Sequence, residues 1–145
     1  MDTDVTGPDA VMRPHCVIVG AGGHARVVAG ILERLGETRL IGVLDRTAET
    51  TGERIGFSKI IGAYDLLSAL ITQGVGRVYL AIGDNAARQS LTMRCWREGE
   101  GLALPPLIHP TAILEPGAEI GDGTVLCAGA IIGANARVGR GCIIN

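Results

Sequence analysis

Aromatic residues are scarce in this sequence, and basic residues are not in excess. The 145 residues include one Trp, two Tyr and one Phe, and 13 Lys or Arg stand against 15 Asp or Glu, for a formal net charge of −2. Proteins that bind nucleic acid use positive charge to neutralise phosphates and aromatic rings to stack bases. We therefore expect no nucleic-acid partner.

Signals for metal binding, secretion and membrane insertion are also missing from the sequence. The four cysteines form no CxxC pair and have no histidine at zinc-finger spacing, which predicts free thiols and no metal site. The first 14 residues, MDTDVTGPDAVMRP, lack the basic start and apolar core of a signal peptide. No run reaches the roughly 18 apolar residues of a membrane span. We expect a disordered leader over residues 1–14 and a cytoplasmic protein.

Glycine, in contrast, is abundant. The chain has 22 glycines, about twice the usual frequency of roughly 7%. Such an excess requires either many special turns or disorder, and a hydrophobic content of 47% excludes disorder. The composition also changes along the chain, which indicates two modules, residues 15–104 and residues 105–145.

Strands and helices alternate in the first module, which predicts an α/β, Rossmann-like parallel sheet with three or four strands. The predicted strands are HCVIVG, RLIGVLD, KIIG and RVYLAIG, beginning at residues 15, 39, 59 and 77. A first helix should end at Gly36, with Val27, Val28, Ile31, Leu32 and Leu35 on its apolar face. Further helices are predicted over residues 63–74 and from Asn85 to about Glu100, and residues 47–56 read as a loop.

A ligand site is expected where the parallel strands end and the helices begin. The loop from Gly20 to Ala25 is glycine-rich, so that its backbone could approach a phosphate at the start of a helix. Asp45 ends the second strand and could accept from a ribose or base. A third loop follows Gly83 and carries Asn85 and Arg88, which could meet a pyrophosphate.

Each of these features also has a purely structural interpretation. The first loop could be a tight turn, His24 an exposed residue of the first helical turn, and Arg88 part of a solvated face. Asp84 is better explained as a helix cap than as a ligand contact. The pattern GxGxxA followed by an acid also fits an NAD-linked oxidoreductase. Against that reading, the module has no room for a second mononucleotide-binding half.

The second module has a period of six residues and no helical period. Its repeated aliphatic positions are Ile108, Leu114, Ile120, Leu126, Ile132, Val138 and Ile144. The residues two places before them, from position 112 onward, are all small: Ala112, Ala118, Thr124, Ala130, Ala136 and Cys142. A fixed period of six is typical of a β-helix, in which the aliphatic side chains fill the interior. The pattern predicts about two coils of a parallel β-helix.

Two coils are too few to stand alone, because repeat proteins need further repeats and a cap. Nothing after Ile144 has the character of a cap, and Asn145 falls in the middle of the pattern. We therefore expect the sequence to be the amino-terminal portion of a longer protein.

The order of motifs resembles a known enzyme family. VIVGAGGHARVV, VLD, AIGDNAAR and LIHPTAIL, followed by six-residue repeats, are similar to the sialic-acid O-acetyltransferase and bacterial UDP-4-amino-sugar N-acetyltransferase family. The resemblance implies a nucleotide-sugar-binding domain and a left-handed β-helix that forms a homotrimer and binds acetyl-CoA. The implied activity is acetyl-CoA-dependent acyl transfer to a sugar carried by a nucleotide, UDP by resemblance.

The resemblance also implies roles for particular residues. Gly22, Gly23 and His24 would line the nucleotide-sugar site, Asp45 and Arg46 would face the uridine or sugar, and Gly83, Asn85 and Arg88 would close it. Asn145 matches an asparagine shortly before the family's catalytic histidine. No catalytic residue is then expected within this chain, since that histidine would lie beyond Asn145 and His109 is about two coils away from its position.

A different class of function stays open from the sequence. A short protein with these motifs could bind a nucleotide sugar, or assemble with partners, without catalysing a reaction.

Overall fold

The first module forms a five-stranded sheet with helices on both faces. The computed structural model describes residues 12–98 and 101–145, with Glu98 described by its backbone alone. The sheet has the order β3-β4-β2-β1-β5. Its strands are β1 (His15–Val19), β2 (Arg39–Asp45), β3 (Arg54–Ile55), β4 (Ser58–Ala63) and β5 (Arg77–Leu80). Four of them are parallel and β3 alone runs antiparallel, at the edge.

The described part of the chain has three α-helices, of which the first two connect strands of the sheet and the third follows β5. They are α1 (Gly23–Leu35), α2 (Leu67–Thr72) and α3 (Asn85–Glu98). Helix α1 ends as predicted, because Gly36 adopts the left-handed conformation (φ 63°) and donates its backbone N–H to Leu32. Alternate residues of β1 enter the two layers of the core: Cys16 and Ile18 pack on the α1 side, and Val17 and Val19 pack with residues of α2 and α3.

Some predicted elements differ from the structure. Residues 47–56 are not only a loop, because they contain a 3₁₀ turn at Ala48–Thr50 and the edge strand β3. The helix predicted over residues 63–74 is shorter, since Tyr64–Leu66 form a 3₁₀ turn before α2 begins. Val27 is 42% exposed, whereas Ala25 and Ala29 are buried, so the apolar face of α1 is rotated from the predicted one.

The second module consists of short strands that recur every six residues. These are β6 (Leu107–Ile108), β7 (Ile113–Leu114), β8 (Glu119–Ile120), β9 (Val125–Leu126), β10 (Ile131–Ile132), β11 (Arg137–Val138) and β12 (Ile143–Ile144). Strands 18 residues apart pair in parallel, as β6-β9-β12, β7-β10 and β8-β11. Three small sheets therefore enclose one interior, which is the arrangement of a parallel β-helix.

Six of the seven predicted aliphatic positions contribute to that interior. Leu126 and Ile132 are buried there, and Ile108, Ile120, Val138 and Ile144 pack around them with Ala112, Ala118, Ala130 and Ala136. Leu114 is the exception, since it is 38% exposed and lies outside the cluster.

Two predictions fall partly outside the described residues. The disordered leader over residues 1–14 lies mostly there, and so do the last two residues of the helix predicted to reach Glu100. The division of the chain at residues 104 and 105 stays a prediction. In the described part of the chain, no helix is both long and apolar enough to span a membrane.

The buried interior of the β-helix gives a test of the fold. Leu126→Ala should lower the free energy of unfolding by about 2–5 kcal/mol, because the deletion leaves a cavity among packed aliphatic side chains. Urea unfolding followed by circular dichroism would measure the loss. The control is Arg137→Ala on the same β-helix, which removes only an exposed ion pair with Glu119 and should cost under about 1 kcal/mol. Equal losses for the two variants would contradict the assignment of Leu126 to the interior.

Candidate functional site

A cleft of about 370 Å³ lies at the carboxyl edge of the parallel sheet. The loops after β1, β2, β4 and β5 all contribute to it, as expected for a parallel α/β sheet. Its lining residues are Gly20, Ala21, Gly22, Asp45, Arg46, Tyr64, Ala81, Ile82, Gly83, Asp84, Ala87 and Leu91. Four of the predicted site residues therefore meet here: Gly22, Asp45, Arg46 and Gly83.

The glycine loop after β1 is fixed by a close approach to β5. Gly20 has a φ of 110°, and a Cβ at this position would lie 2.6 Å from the carbonyl oxygen of Ala81. No other residue fits both constraints. Gly22 follows as the N-cap of α1 in an extended conformation, so the first backbone N–H groups of the helix lie at the end of the loop.

Gly22, Gly23 and Gly83 differ from Gly20 in one respect. A Cβ at any of the three would have no protein atom within 4 Å, and none of them has a positive φ. Packing and backbone conformation therefore do not require glycine at these positions. A ligand that approaches the backbone closely would require it.

Asp45 is held in place by its own loop. One carboxylate oxygen accepts from the backbone N–H of Arg46 at 2.7 Å, and the other accepts from the hydroxyl of Thr50 at 2.6 Å. Each carboxylate oxygen can accept more than one hydrogen bond, so Asp45 keeps acceptor capacity toward the cleft. The carboxylate is thus oriented before any ligand arrives.

Tyr64 is a cleft residue that the sequence analysis did not single out. Burial and the negative charge of Asp45 raise the pKa of its hydroxyl, and Arg46 opposes the shift. The hydroxyl is therefore protonated at neutral pH and can donate a hydrogen bond. Tyr64 directly follows β4, so the rule that identified Asp45 at the end of β2 could also have identified it.

The polar residues that follow β5 point to different places in the molecule. Asp84 caps α3, because its carboxylate accepts from the backbone N–H of Ala87 at 2.8 Å, as the sequence indicated. Asn85 and Arg88 instead line a second cleft of about 430 Å³ between α3 and the β-helix. The structure thus divides the predicted residues of this loop between two clefts.

Arg88 does not extend into solvent or into the first cleft. Its side chain is buried, and its guanidinium donates to the carbonyl oxygens of Ile82, Gly83 and Gly141 and to Oδ1 of Asn85, at 2.6–3.1 Å. Four hydrogen bonds to the protein occupy most of its five N–H groups. These bonds do not place Arg88 in the first cleft, and its predicted contact with a pyrophosphate stays a prediction.

His24, in the first turn of α1, lines neither cleft. Its Nε2 atom is buried and has no hydrogen-bond partner among the residues described. Burial lowers the pKa of the imidazole, and the positive charge of Arg88 lowers it further. The ring is therefore neutral at pH 7.

Gly23 and Asn145 also lie outside both clefts. Gly23 is the first residue of α1, and Asn145 is exposed directly after β12. No disulfide joins any of the four cysteines, all of which lie in the described residues, and Cys16, Cys95 and Cys127 are buried.

The chain therefore combines a parallel α/β sheet, with a glycine-lined cleft at its carboxyl edge, and an adjoining β-helix. Residues 15–95 match the PglD N-terminal domain family, and the chain belongs to that family. The resemblance found in the sequence is thereby confirmed.

Similar proteins of known activity are sugar N-acetyltransferases. The chain is 39% identical over 112 residues to the UDP-N-acetylbacillosamine N-acetyltransferase of Bacillus subtilis (strain 168), covering 77% of this chain and 50% of that protein. The chain thus spans half the length of this curated relative.

Solved structures with the same fold include two acetyltransferases. A variant of the perosamine N-acetyltransferase of Caulobacter crescentus, crystallised with CoA and GDP-perosamine, is 37% identical with a TM-score of 0.81 and is matched over 90% of this chain and 60% of its own. The acetyltransferase domain of PglB from Neisseria gonorrhoeae FA1090 is 33% identical with a TM-score of 0.78, over 90% and 62% of the two chains.

The burial of His24 predicts a pH dependence of stability. Because the folded-state pKa is lowered, the contribution of the neutral ring is complete above the unfolded pKa of about 6.5 and is lost as the pH falls below that value toward the folded pKa. His24→Asn should therefore lose less stability than the wild type between pH 7.5 and pH 5. Urea unfolding at both pH values would measure the difference. Parallel losses in the two proteins would show that His24 is not held neutral by the fold.

Proposed function

We propose that this chain is the nucleotide-sugar-binding part of an acetyl-CoA-dependent acyltransferase that acts on a nucleotide-linked amino sugar. The observation that carries the proposal is the cleft at the carboxyl edge of the sheet, where two glycines that the fold does not require, Gly22 and Gly83, lie near an oriented Asp45. The relatives support the amino acceptor, because each is an N-acetyltransferase or an acetyltransferase domain.

The diphosphate of the nucleotide is placed at the start of α1. Gly22 and Gly23 leave the backbone open there, and the first N–H groups of a helix attract anions through hydrogen bonds and the helix dipole. Gly83 lines the same cleft on the opposite loop and offers equally close approach.

The base and sugar are placed among the polar side chains around the cleft. Asp45 accepts from a ribose or base donor, with Arg46 and the donating hydroxyl of Tyr64 beside it. Asn85 is placed toward the sugar end, and His24 is assigned there by the resemblance alone, because its Nε2 is buried and the residue lines neither cleft. Arg88 acts through Asn85 and not by direct contact.

The acetyl group comes from acetyl-CoA bound at a left-handed β-helix of hexapeptide repeats. In this scheme the catalytic histidine follows Asn145 in the intact protein, and Asn145 lies near the active centre. The histidine takes a proton from the sugar amine while the nitrogen attacks the thioester carbonyl. The new C–N bond forms as the C–S bond breaks, and the thiolate of CoA takes up the proton.

The intact protein is further proposed to be a cytoplasmic homotrimer. Four cysteines that form no disulfide in the described residues suit a reducing compartment. Ile113 and Ile131 form an apolar stripe on the outer face of the β7-β10 sheet, 50% and 66% exposed, and such a stripe suits burial against a second copy.

The oligomeric state can be tested on that stripe. Sedimentation velocity should show a trimer of the wild-type chain, and Ile131→Asp should shift it to monomer, because a carboxylate would be buried against apolar atoms. Circular dichroism would establish that the variant is folded. A wild type that sediments as a monomer, or an Ile131→Asp variant that remains a trimer, would count against this interface.

Calorimetry with the 145-residue chain tests the central proposal. UDP- and GDP-linked 4-amino sugars should bind at micromolar concentration, with NAD as the competing ligand. Binding of NAD without binding of either nucleotide sugar would overturn the proposal in favour of an oxidoreductase.

The proposed position of the diphosphate predicts that a negative charge at Gly22, the N-cap of α1, weakens binding. Gly22→Asp should keep the stability of the fold, because aspartate is a favourable N-cap and a Cβ meets no protein atom. It should weaken nucleotide-sugar binding at least about tenfold, because the carboxylate repels the phosphates. Gly22→Asn is the matched control, since asparagine has the same shape and caps equally well without the charge. Binding of both variants as tight as that of the wild type would place the diphosphate elsewhere.

A further inference from the structure

Arg88 is a buried charged side chain that joins the two modules. It lies in the first turns of α3 and is 7% exposed. Its Nε donates to the carbonyl oxygen of Gly141 at 2.7 Å, across 53 residues of sequence. Its Nη1 donates to Ile82 at 2.8 Å and to Gly83 at 3.1 Å. Its Nη2 donates to Oδ1 of Asn85 at 2.6 Å.

These acceptors belong to two separate parts of the molecule. Three of them lie in the loop over residues 82–85, which contributes Gly83 to the first cleft and Asn85 to the second. The fourth lies in the turn over residues 139–142 between β11 and β12 of the β-helix. A single guanidinium therefore bonds the nucleotide-site loop to the β-helix.

The turn that receives this bond is itself tied to the coil below it. The backbone N–H of Gly141 donates to the carbonyl of Asp122 at 2.9 Å. The buried hydroxyl of Thr124 donates to Gly139 at 2.7 Å and accepts from the N–H of Cys142 at 3.1 Å. Movement of the turn would break these bonds, so the turn is a firm anchor for Arg88.

The four acceptors are all uncharged oxygens in a fixed spatial arrangement. A planar guanidinium with N–H groups directed along several axes can bond all four at once. A lysine ammonium has a single nitrogen with three donors and cannot span them. The four acceptors therefore require the planar guanidinium of arginine, because another positively charged side chain cannot form all four hydrogen bonds.

We propose that Arg88 is a positioning residue that fixes the nucleotide-site loop relative to the β-helix. The inference rests on the proposed function, in which the loop holds the sugar and the β-helix carries the acetyl donor. Acyl transfer requires the amine and the thioester carbon to approach to roughly 3–3.5 Å. A side chain that fixes the distance between the two modules controls that approach without touching the reacting atoms.

Hydrogen exchange of the 145-residue chain, with and without a bound UDP- or GDP-linked 4-amino sugar, tests the role. In the wild type the ligand should slow amide exchange about tenfold both in the loop over residues 82–85 and in the turn over residues 139–142, within the usual range of coupling between sites. Arg88→Met should keep the ligand effect in the loop and lose it in the turn. Arg88→Lys should behave like Arg88→Met, because it keeps the charge without the geometry.

Arg140→Met is the matched control. Arg140 lines the same second cleft, where its guanidinium lies 5.0 Å from the ring centroid of Trp96, and it makes none of the bonds of Arg88. The variant should show the wild-type ligand effect in both segments. A merely structural role of Arg88 would lower stability in the variants but leave the ligand effect in the turn unchanged.

The two proposals fail in different ways. If no nucleotide sugar binds the wild-type chain, the proposed function is wrong. If a nucleotide sugar binds but leaves exchange in the turn of the wild type unchanged, or if Arg88→Lys matches the wild type, the positioning role of Arg88 is wrong while the binding site stands. The wild-type measurement alone can overturn the inference should the Arg88 variants not fold.

Discussion

The contact between helix α1 and one outer face of the β-helix is the interaction on which the rest of the structure depends. Leu107, Val125, Cys127 and Ile143, on or beside the β6-β9-β12 sheet, belong to the same apolar cluster as the buried face of α1. A short β-helix is stabilised by a neighbour that buries the apolar side chains on its outer face. Helix α1 supplies that neighbour. The same helix begins at the glycine loop, so one rigid element positions both the nucleotide site and the β-helix.

The β-helix was predictable from the sequence because its structure repeats a local rule. Every strand from β6 to β12 ends on a position of the six-residue period, and strands 18 residues apart pair without a register shift. In such a stack, each side chain faces an equivalent one in the next coil, so periodicity in sequence maps directly onto contact in space. Leu114 is more exposed than the other six positions although it pairs with the interior residue Ile132, and the sequence pattern treats all seven positions alike.

Only those residues of the candidate site that directly follow a parallel strand could be predicted from the sequence. Gly22, Asp45 and Gly83 follow from the rule that parallel strands end at one edge, and the structure brings them together. The partners of Arg88 do not follow, since Gly141 is 53 residues away and belongs to the other module. An arginine in a first helical turn has the same sequence signature whether it faces a phosphate or a backbone carbonyl. Only the packing of α3 beside the β-helix distinguishes the two.

The fold requires glycine at one position near the cleft but not at others. At Gly20 the positive φ and the carbonyl of Ala81 leave no room for a side chain, so the fold alone explains the residue. At Gly22, Gly23 and Gly83 the fold would accept a Cβ, and alanine would even lower the entropy cost of folding at positions it can adopt. Glycine at these three positions therefore forgoes stability that the chain could have had. A ligand whose atoms approach the backbone closely would account for glycine at these positions, and such an approach is part of the function proposed above.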